Sequence, residues 1–171
     1  ISKAAADLHC AWLAKTNALD VIRMRPFNHS GPEQAPHFVL ASFAQQIAQA
    51  EKKGREGVLH VGNLDAARDF SHVADIVRGY ALAAEHASSG DFFNICSGAA
   101  VRIQDAVERM IAMARVPIRI EIDPERMRPV DVPEVYGAYT RLHQATGWTP
   151  KHTFDELLTA LLDYQRRQIA I

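Results

Sequence analysis

Asp20-Val21-Ile22-Arg23-Met24-Arg25-Pro26-Phe27-Asn28-His29-Ser30-Gly31-Pro32 is a short apolar run that stops at a proline and gives way to turn-forming residues. Ile22 and Met24 share one face of an extended chain, and Pro26 removes a ladder donor, so the run reads as a strand ending at that proline. Asn28 to Pro36 is turn chemistry throughout and reads as a surface loop, placed where a strand delivers side chains to a site. Phe38 to Lys53 then reads as a helix, with Phe38, Phe43, Ile47 and Ala50 toward one side and Gly54 beyond its end. Strand, polar loop and helix in that order are the unit of an α/β fold.

The unit recurs on either side. Leu59-His60-Val61 is a short strand running into Gly62-Asn63, and Arg68-Asp69-Phe70-Ser71-His72 leads into a helix from Val73 to about Glu85. Phe92 to Cys96 has the pattern of a buried strand, Ile103 to Ala114 is amphipathic, and Ile118, Ile120 and Ile122 alternate with charge as a strand does. Two last helices, Tyr139 to Thr146 and Phe154 to Gln168, flank Gly147-Trp148-Thr149-Pro150. Before the opening strand, Ser2 to Lys15 fits a helix whose apolar side is Ala5, Leu8 and Trp12, extended by Ala4 and Cys10. Three parallel-type strands, near Asp20, Leu59 and Phe92, make a thin sheet with bare edges for a stand-alone α/β domain. The chain carries no Gly-x-Gly-x-x-Gly after a strand, no internal repeat and no low-complexity tract.

Composition narrows the class. The chain has 171 residues, 48% hydrophobic and 23% charged, the make-up of an ordinary globular chain rather than of a disordered or fibrous one. No apolar run approaches the ~20 residues of a membrane span, so no membrane is expected, and no basic segment followed by an apolar one opens the chain. Nineteen basic and twenty acidic residues leave a net charge of -1. Scattered in this way they offer no basic face for nucleic acid. Cys10 and Cys96 are too few for a disulfide framework or a zinc site and read as inert thiols of a reducing compartment, which points to the cytoplasm. The eight histidines show neither an i, i+4 pair nor a two-His-plus-carboxylate spacing, so no metal is expected. The chain opens Ile1-Ser2-Lys3-Ala4 with no Met and no clear cap before helical composition, as an element entered midway would, and a fragment is expected.

Polar residues at element ends are the candidates for chemistry. Arg25 with Pro26, Phe27, Asn28 and His29 ends a strand, Arg68 and Asp69 precede a helix, and Arg128 to Asp131 lies in a loop. Arginines so placed can hold a diphosphate with forked donors, although each taken singly is an ordinary surface charge, and Asn28 taken singly is a turn former. His72 reads as a structural residue at a helix start, and His29 as the other histidine to follow. The lack of a Gly-x-Ser-x-Gly elbow leaves a serine hydrolase unsupported.

The order of these strings carries more than any of them alone. Ser2-Lys3-Ala4-Ala5-Ala6-Asp7, then Arg25 to Pro32, Gly62-Asn63-Leu64-Asp65-Ala66-Ala67-Arg68-Asp69-Phe70-Ser71-His72-Val73-Ala74-Asp75, Asn94 to Gly98, Arg128 to Pro133 and Thr146 to Pro150 together resemble the C-terminal half of the extended short-chain dehydrogenase/reductases that act on nucleotide sugars. The resemblance covers nearly the whole chain. Arg-Pro-Phe-Asn-His-Ser-Gly-Pro with Gly-Asn-Leu-Asp-Ala-x-Arg-Asp-Phe looks most like the GDP-sugar branch, nearer its 4-keto-6-deoxy-mannose reductases than its 4,6-dehydratases.

The resemblance implies an incomplete Rossmann portion, a doubly wound parallel sheet, from residues 1–26 and 71–96, and a smaller α/β substrate-binding domain from 27–70 and 97–171. It implies NADP or NAD as cofactor, a GDP-linked nucleotide sugar as ligand and a homodimer. Lys3 would be the lysine of the family's Tyr-x-x-x-Lys pair, binding the nicotinamide ribose and lowering the tyrosine pKa, with that tyrosine two positions before Ile1. Pro26 and Phe27 would line the nicotinamide side, Asn28 would bond the sugar or its diphosphate, Arg68 and Arg128 would clamp the diphosphate, and Asp131 would take a ribose hydroxyl. Val39, Val61 and Asn63 are expected near the base. The implied reaction is reduction of a 4-keto-6-deoxy sugar, of the GDP-4-keto-6-deoxy-mannose to GDP-rhamnose type, with the 171-residue chain inactive by itself. A dehydratase or an epimerase of the same family, and a non-catalytic nucleotide-sugar-binding module, are the alternatives.

Overall fold

The structure is a computed structural model, and it describes residues 2–127 and 132–170. In chain order these form α1 (Ser2–Lys15), β1 (Arg23–Pro26), β2 (Asn28–Ser30), α2 (Val39–Lys53), β3 (Gly57–Val61), β4 (Ala67–His72), α3 (Val73–His86), β5 (Phe92–Ile95) and β6 (Ala100–Arg102). Then come α4 (Ile103–Ala112), β7 (Ile118–Ile122), a 3-10 turn (Pro124–Arg126), β8 (Glu134–Val135), α5 (Thr140–Thr146) and α6 (Phe154–Ala170). The chain is α/β with parallel pairing, as its alternating pattern implies.

The strands are distributed differently from the expected single thin sheet. β1 pairs parallel with β5, Arg23 opposite Phe92 and Pro26 opposite Ile95. The Leu59 strand is not beside them: β3 pairs parallel with β7, Val61 opposite Ile122. A third sheet is built on β4, which takes β2 and β8 parallel and β6 antiparallel. One stretch read as a loop and one read as the approach to a helix are therefore strands. Asn28-His29-Ser30 pairs with Phe70-Ser71-His72, so its turn-forming residues are overridden by ladder bonds. Ala67–His72 is a strand before it is a helix start.

Two cores result. Leu40, Phe43, Ile47, Leu59, Val61, Phe70, Val107, Met110 and Leu158 are buried together under α2, α4 and α6. Ile76, Ala83, Phe93, Ile95, Leu142 and Trp148 form the second, around β1, β5 and α3. Leu142 and Trp148, expected with the smaller unit, pack here because the Trp148 indole donates to the Asp75 carbonyl at 3.0 Å and lies where Gly79 leaves room. In the first core, Arg166 on α6 grips Glu51 on α2 with two donors at 2.8 Å each and also reaches the Met113 carbonyl. The Arg166 guanidinium holds the Glu51 carboxyl below the usual carboxylate range, against the burial that would raise it.

The opening helix presents a different side from the one its apolar residues suggest. Ala14 is its buried residue, with Asp7, Cys10 and Ala11 half-buried on the same face. Leu8 and Trp12 are 70% and 57% exposed. Asp7 explains the choice: it accepts from Arg23 at 3.1 Å and from Arg25 at 2.6 Å, so the helix is fixed to β1 by charge. No helix among the described residues is long and apolar enough to cross a membrane.

Candidate functional site

Two adjoining cavities open where β1, β2 and β4 meet the start of α2. The larger, about 690 Å³, is bordered by Lys3 from α1, Pro26 at the end of β1, Phe27, Asn28 and Asn94 at the end of β5. Strand ends feeding a crevice are the usual ligand position of an open parallel sheet. The smaller, about 270 Å³, is bordered by Ser42 and Phe43 on α2, Gly62 and Asn63 after β3, Arg68 on β4, and Arg126. Asn28, His37, Val39 and Phe70 border both.

The walls are held by bonds that their own residues explain. Side chains of β4 alternate, so Arg68 and Phe70 reach the cavities while Asp69 points the other way. Asp69 is fully buried. It accepts from the Ser97 N–H and hydroxyl at 2.7 Å each, and from the Gly98 N–H at 2.9 Å. It thereby ties the strand carrying Arg68 to the loop after β5, as a scaffold carboxylate. Gly137 sits against the Phe27 ring, where a Cβ would approach to 2.6 Å, so only glycine lets Phe27 occupy the wall. His29 bonds the Phe27 carbonyl through Nδ1 at 2.9 Å, and Gln34 reaches both the Ser30 hydroxyl and the His29 carbonyl, closing the loop on itself.

His72 is structural, as read from sequence: its Nδ1 accepts from the Ala74 N–H at 3.1 Å and caps α3. Its ring stacks on His152 with centroids 4.3 Å apart. Burial, with the like charge of His152 added, holds the His72 pKa below the ordinary histidine value. Asp75 beneath them is buried, which would raise its pKa, but N–H donors from His152 and Lys151 and the Arg78 guanidinium outweigh this and lower it. Cys96 is buried, and burial followed by the nearby Asp69 charge pushes its thiol up to about 12, which leaves it inert at neutral pH. Among the described residues no group of three His, Cys, Asp or Glu is placed to hold a metal ion.

Of the residues singled out from sequence, the structure brings Lys3, Pro26, Phe27, Asn28 and Val39 to the larger cavity, and Asn28, Val39, Asn63 and Arg68 to the smaller. Val61 is not on a wall. It is fully buried opposite Ile122 in the β3–β7 ladder, because its side chain alternates inward where Gly62 turns outward. Arg128 and Asp131 lie outside the described residues. Sequence reading missed Ser42, His37 and Arg126. Ser42 is hidden in a helix face that otherwise reads as core, and Arg126 sits in a run of mixed charge just before the Arg128 to Pro133 string rather than within it.

The chain is similar to a GDP-6-deoxy-D-mannose reductase of Pseudomonas aeruginosa, 38% identical over 168 residues that cover 98% of this chain and 55% of the relative. The solved structure of RMD from Pseudomonas aeruginosa complexed with NADPH superposes with a TM-score of 0.90 at 36% identity, over 98% of this chain and 55% of that one. A protein described as a putative epimerase from Burkholderia cenocepacia follows with 0.80 and 30%, over 91% and 50%. The chain thus spans about half the length of the relatives it matches. The model of the family described as GDP-mannose 4,6 dehydratase matches residues 1–161, and the chain belongs to that family.

Proposed function

We propose that the full-length protein is an NAD(P)-dependent reductase of a 4-keto-6-deoxy nucleotide sugar, GDP-linked, working as a homodimer in the cytoplasm. One observation carries this reading: a cavity bordered by Lys3 and one bordered by Arg68 adjoin through Asn28, Val39 and Phe70. A ligand with a reacting sugar at one end and a diphosphate beside it needs that sequence of groups. The volumes lie in the ~300–1,000 Å³ range of ligand sites when taken together. The likeness to a GDP-6-deoxy-D-mannose reductase, and to a structure solved with NADPH, supports the reductase reading within the family.

The residues present fit the nicotinamide end of such a cofactor, since Lys3 offers an ammonium donor and Pro26 and Phe27 an apolar wall on one cavity. NADPH or NADH, when bound, supplies the hydride. Lys3 would hold the ribose and favour the ionised form of the family's tyrosine, so that the proton it yields to the sugar oxygen is readily exchanged. Asn28 would orient the sugar or its diphosphate. Arg68 would hold the diphosphate in forked geometry, and the energy of that contact positions the sugar. The two cores support a division into a nucleotide-binding portion, residues 1–26 and 71–96 with α5 and Trp148 added, and a substrate-binding portion from the rest. The outward Leu8 and Trp12 of α1 support association through that helix.

The test is titration of the full-length protein with GDP. Replacing Arg68 by Ala should cost about 1.5–3 kcal/mol of affinity through lost charged hydrogen bonds. Unchanged affinity removes Arg68 from the site. A second reading, a dehydratase, is favoured by the name of the family model and by relatives at 23–28% identity that carry the same name. Consumption of GDP-mannose without added reductant would select it.

A further inference from the structure

We propose that Arg126 is a specificity-determining residue that selects guanine at the far end of the site. The inference rests on the nucleotide-sugar reading above and deepens it. Phe38, just before α2, and Val39 and Leu40 in its first turn border the cavity of Lys3, whereas Ser42 and Phe43, one turn further, border the smaller cavity alone. The smaller cavity therefore extends away from the reacting end. Arg68 stands next to the shared wall, two residues from Phe70 on β4, while Arg126 stands beyond it with Ser42 and the Gly62–Asn63 turn. A nucleoside diphosphate threaded past Asn28 and Arg68 places its base there.

The guanidinium is held in a fixed pose. Its Nε donates to the Asp123 carboxylate at 3.2 Å and its Nη1 to the Ser42 hydroxyl at 3.3 Å. Asp123 is itself anchored, its N–H on the Val61 carbonyl at 2.8 Å and its carboxylate capping the Glu125 N–H at 3.0 Å. The turn can sit this close to β3 because residue 62 is glycine: a Cβ there would come within 2.5 Å of the Arg126 carbonyl. Among the described residues Nη2 has no hydrogen-bond partner and Nη1 has only Ser42, so an N–H on each terminal nitrogen remains to form a fork.

Asp123 offsets much of the charge, which makes the group a poor clamp for a bare phosphate and a good reader of a neutral edge with two acceptors. Guanine has such an edge in N7 and O6; adenine replaces O6 with an amino donor, and pyrimidines lack the paired acceptors. Val39, Phe43 and Ile103 supply the apolar walls a flat base requires.

The experiment is calorimetric titration of the full-length protein, wild type and R126A, with GDP, ADP and UDP. The wild type should prefer GDP by about tenfold or more, the discrimination of one forked pair. R126A should lose most of that preference while its ADP and UDP affinities stay within about threefold. S42A, which removes one brace from a residue inside a helix, should lower the preference in the same direction and guards against a misfolded R126A. Equal weakening for all three nucleotides, or a GDP preference that survives R126A, overturns the proposal and leaves the site reading standing. A wild type that binds none of the three overturns both.

Discussion

Asp69→Asn perturbs the fold at a point that touches neither cavity yet positions both. The carboxylate is fully buried, with Oδ1 taking the Ser97 N–H and hydroxyl and Oδ2 taking the Gly98 N–H at 2.9 Å and, more weakly, the Gly137 N–H at 3.4 Å. An amide is nearly isosteric. If its oxygen keeps the Ser97 pair, its NH₂ group faces the Gly98 N–H, donor against donor. One buried orphaned donor costs ~1–3 kcal/mol, and loss of charge from the remaining bonds adds to it, so the expected loss is about 2–4 kcal/mol. The assay is urea unfolding of wild type and variant followed by circular dichroism, with the midpoint and slope compared. GDP affinity should fall as well, because Arg68 and Phe70 flank Asp69 on β4 and lose the tie that Asp69 makes to the loop after β5. A stability loss below ~0.5 kcal/mol, the range of ordinary surface changes, would refute the scaffold role.

Two further predictions concern stability. The folded His72 pKa lies below the unfolded value of 6.5, so the unfolded chain takes up the proton first; the histidine's contribution is full above that value and is lost as pH falls through the window beneath it. His72→Asn, which can cap α3 without titrating, should therefore flatten the fall in melting temperature between about pH 7 and pH 5.5, and an unchanged slope would discount the stacked pair. Gly79→Ala should destabilise although it improves helix propensity, because its Cβ would lie 2.1 Å from Ile95 Cδ1 and 3.1 Å from the Trp148 indole nitrogen. Overpacking of ~1–3 kcal/mol against a gain of ~1 kcal/mol leaves a net loss of up to about 2 kcal/mol, and equal or greater stability would show that Ile95 can yield.

Periodicity made the larger helices legible. α2 and α5 end where the sequence places Gly54 and Gly147, both left-handed at φ 61° and 70°. β2 and β4 were not legible as strands. Asn28-His29-Ser30 carries turn residues, and Ala67–His72 puts charge at Arg68 and Asp69 in positions whose partners, Val101 and the Ser97–Gly98 loop, are far along the chain. The face of α1 was misjudged because Leu8 and Trp12 outweigh Asp7 in any hydrophobic reading, while two arginines on β1 decide its orientation. Lys3, Asn28 and Arg68, which border the cavities, are singled out by motif order rather than by any local pattern. Val61 was misplaced by one residue of strand alternation, and Arg126 was overlooked because its meaning depends on Gly62 and Ser42, both remote in sequence.

Reduction of a keto nucleotide sugar, proposed for the full-length protein, consumes one reduced cofactor per sugar. The most direct measurement follows NADPH absorbance when the full-length protein meets GDP-4-keto-6-deoxy-mannose, with GDP-mannose as the parallel substrate. The reduced cofactor should be oxidised in step with loss of the keto sugar, with no change in GDP-mannose. Consumption of GDP-mannose without reductant, or a keto sugar left intact beside unoxidised cofactor, would contradict the reductase reading.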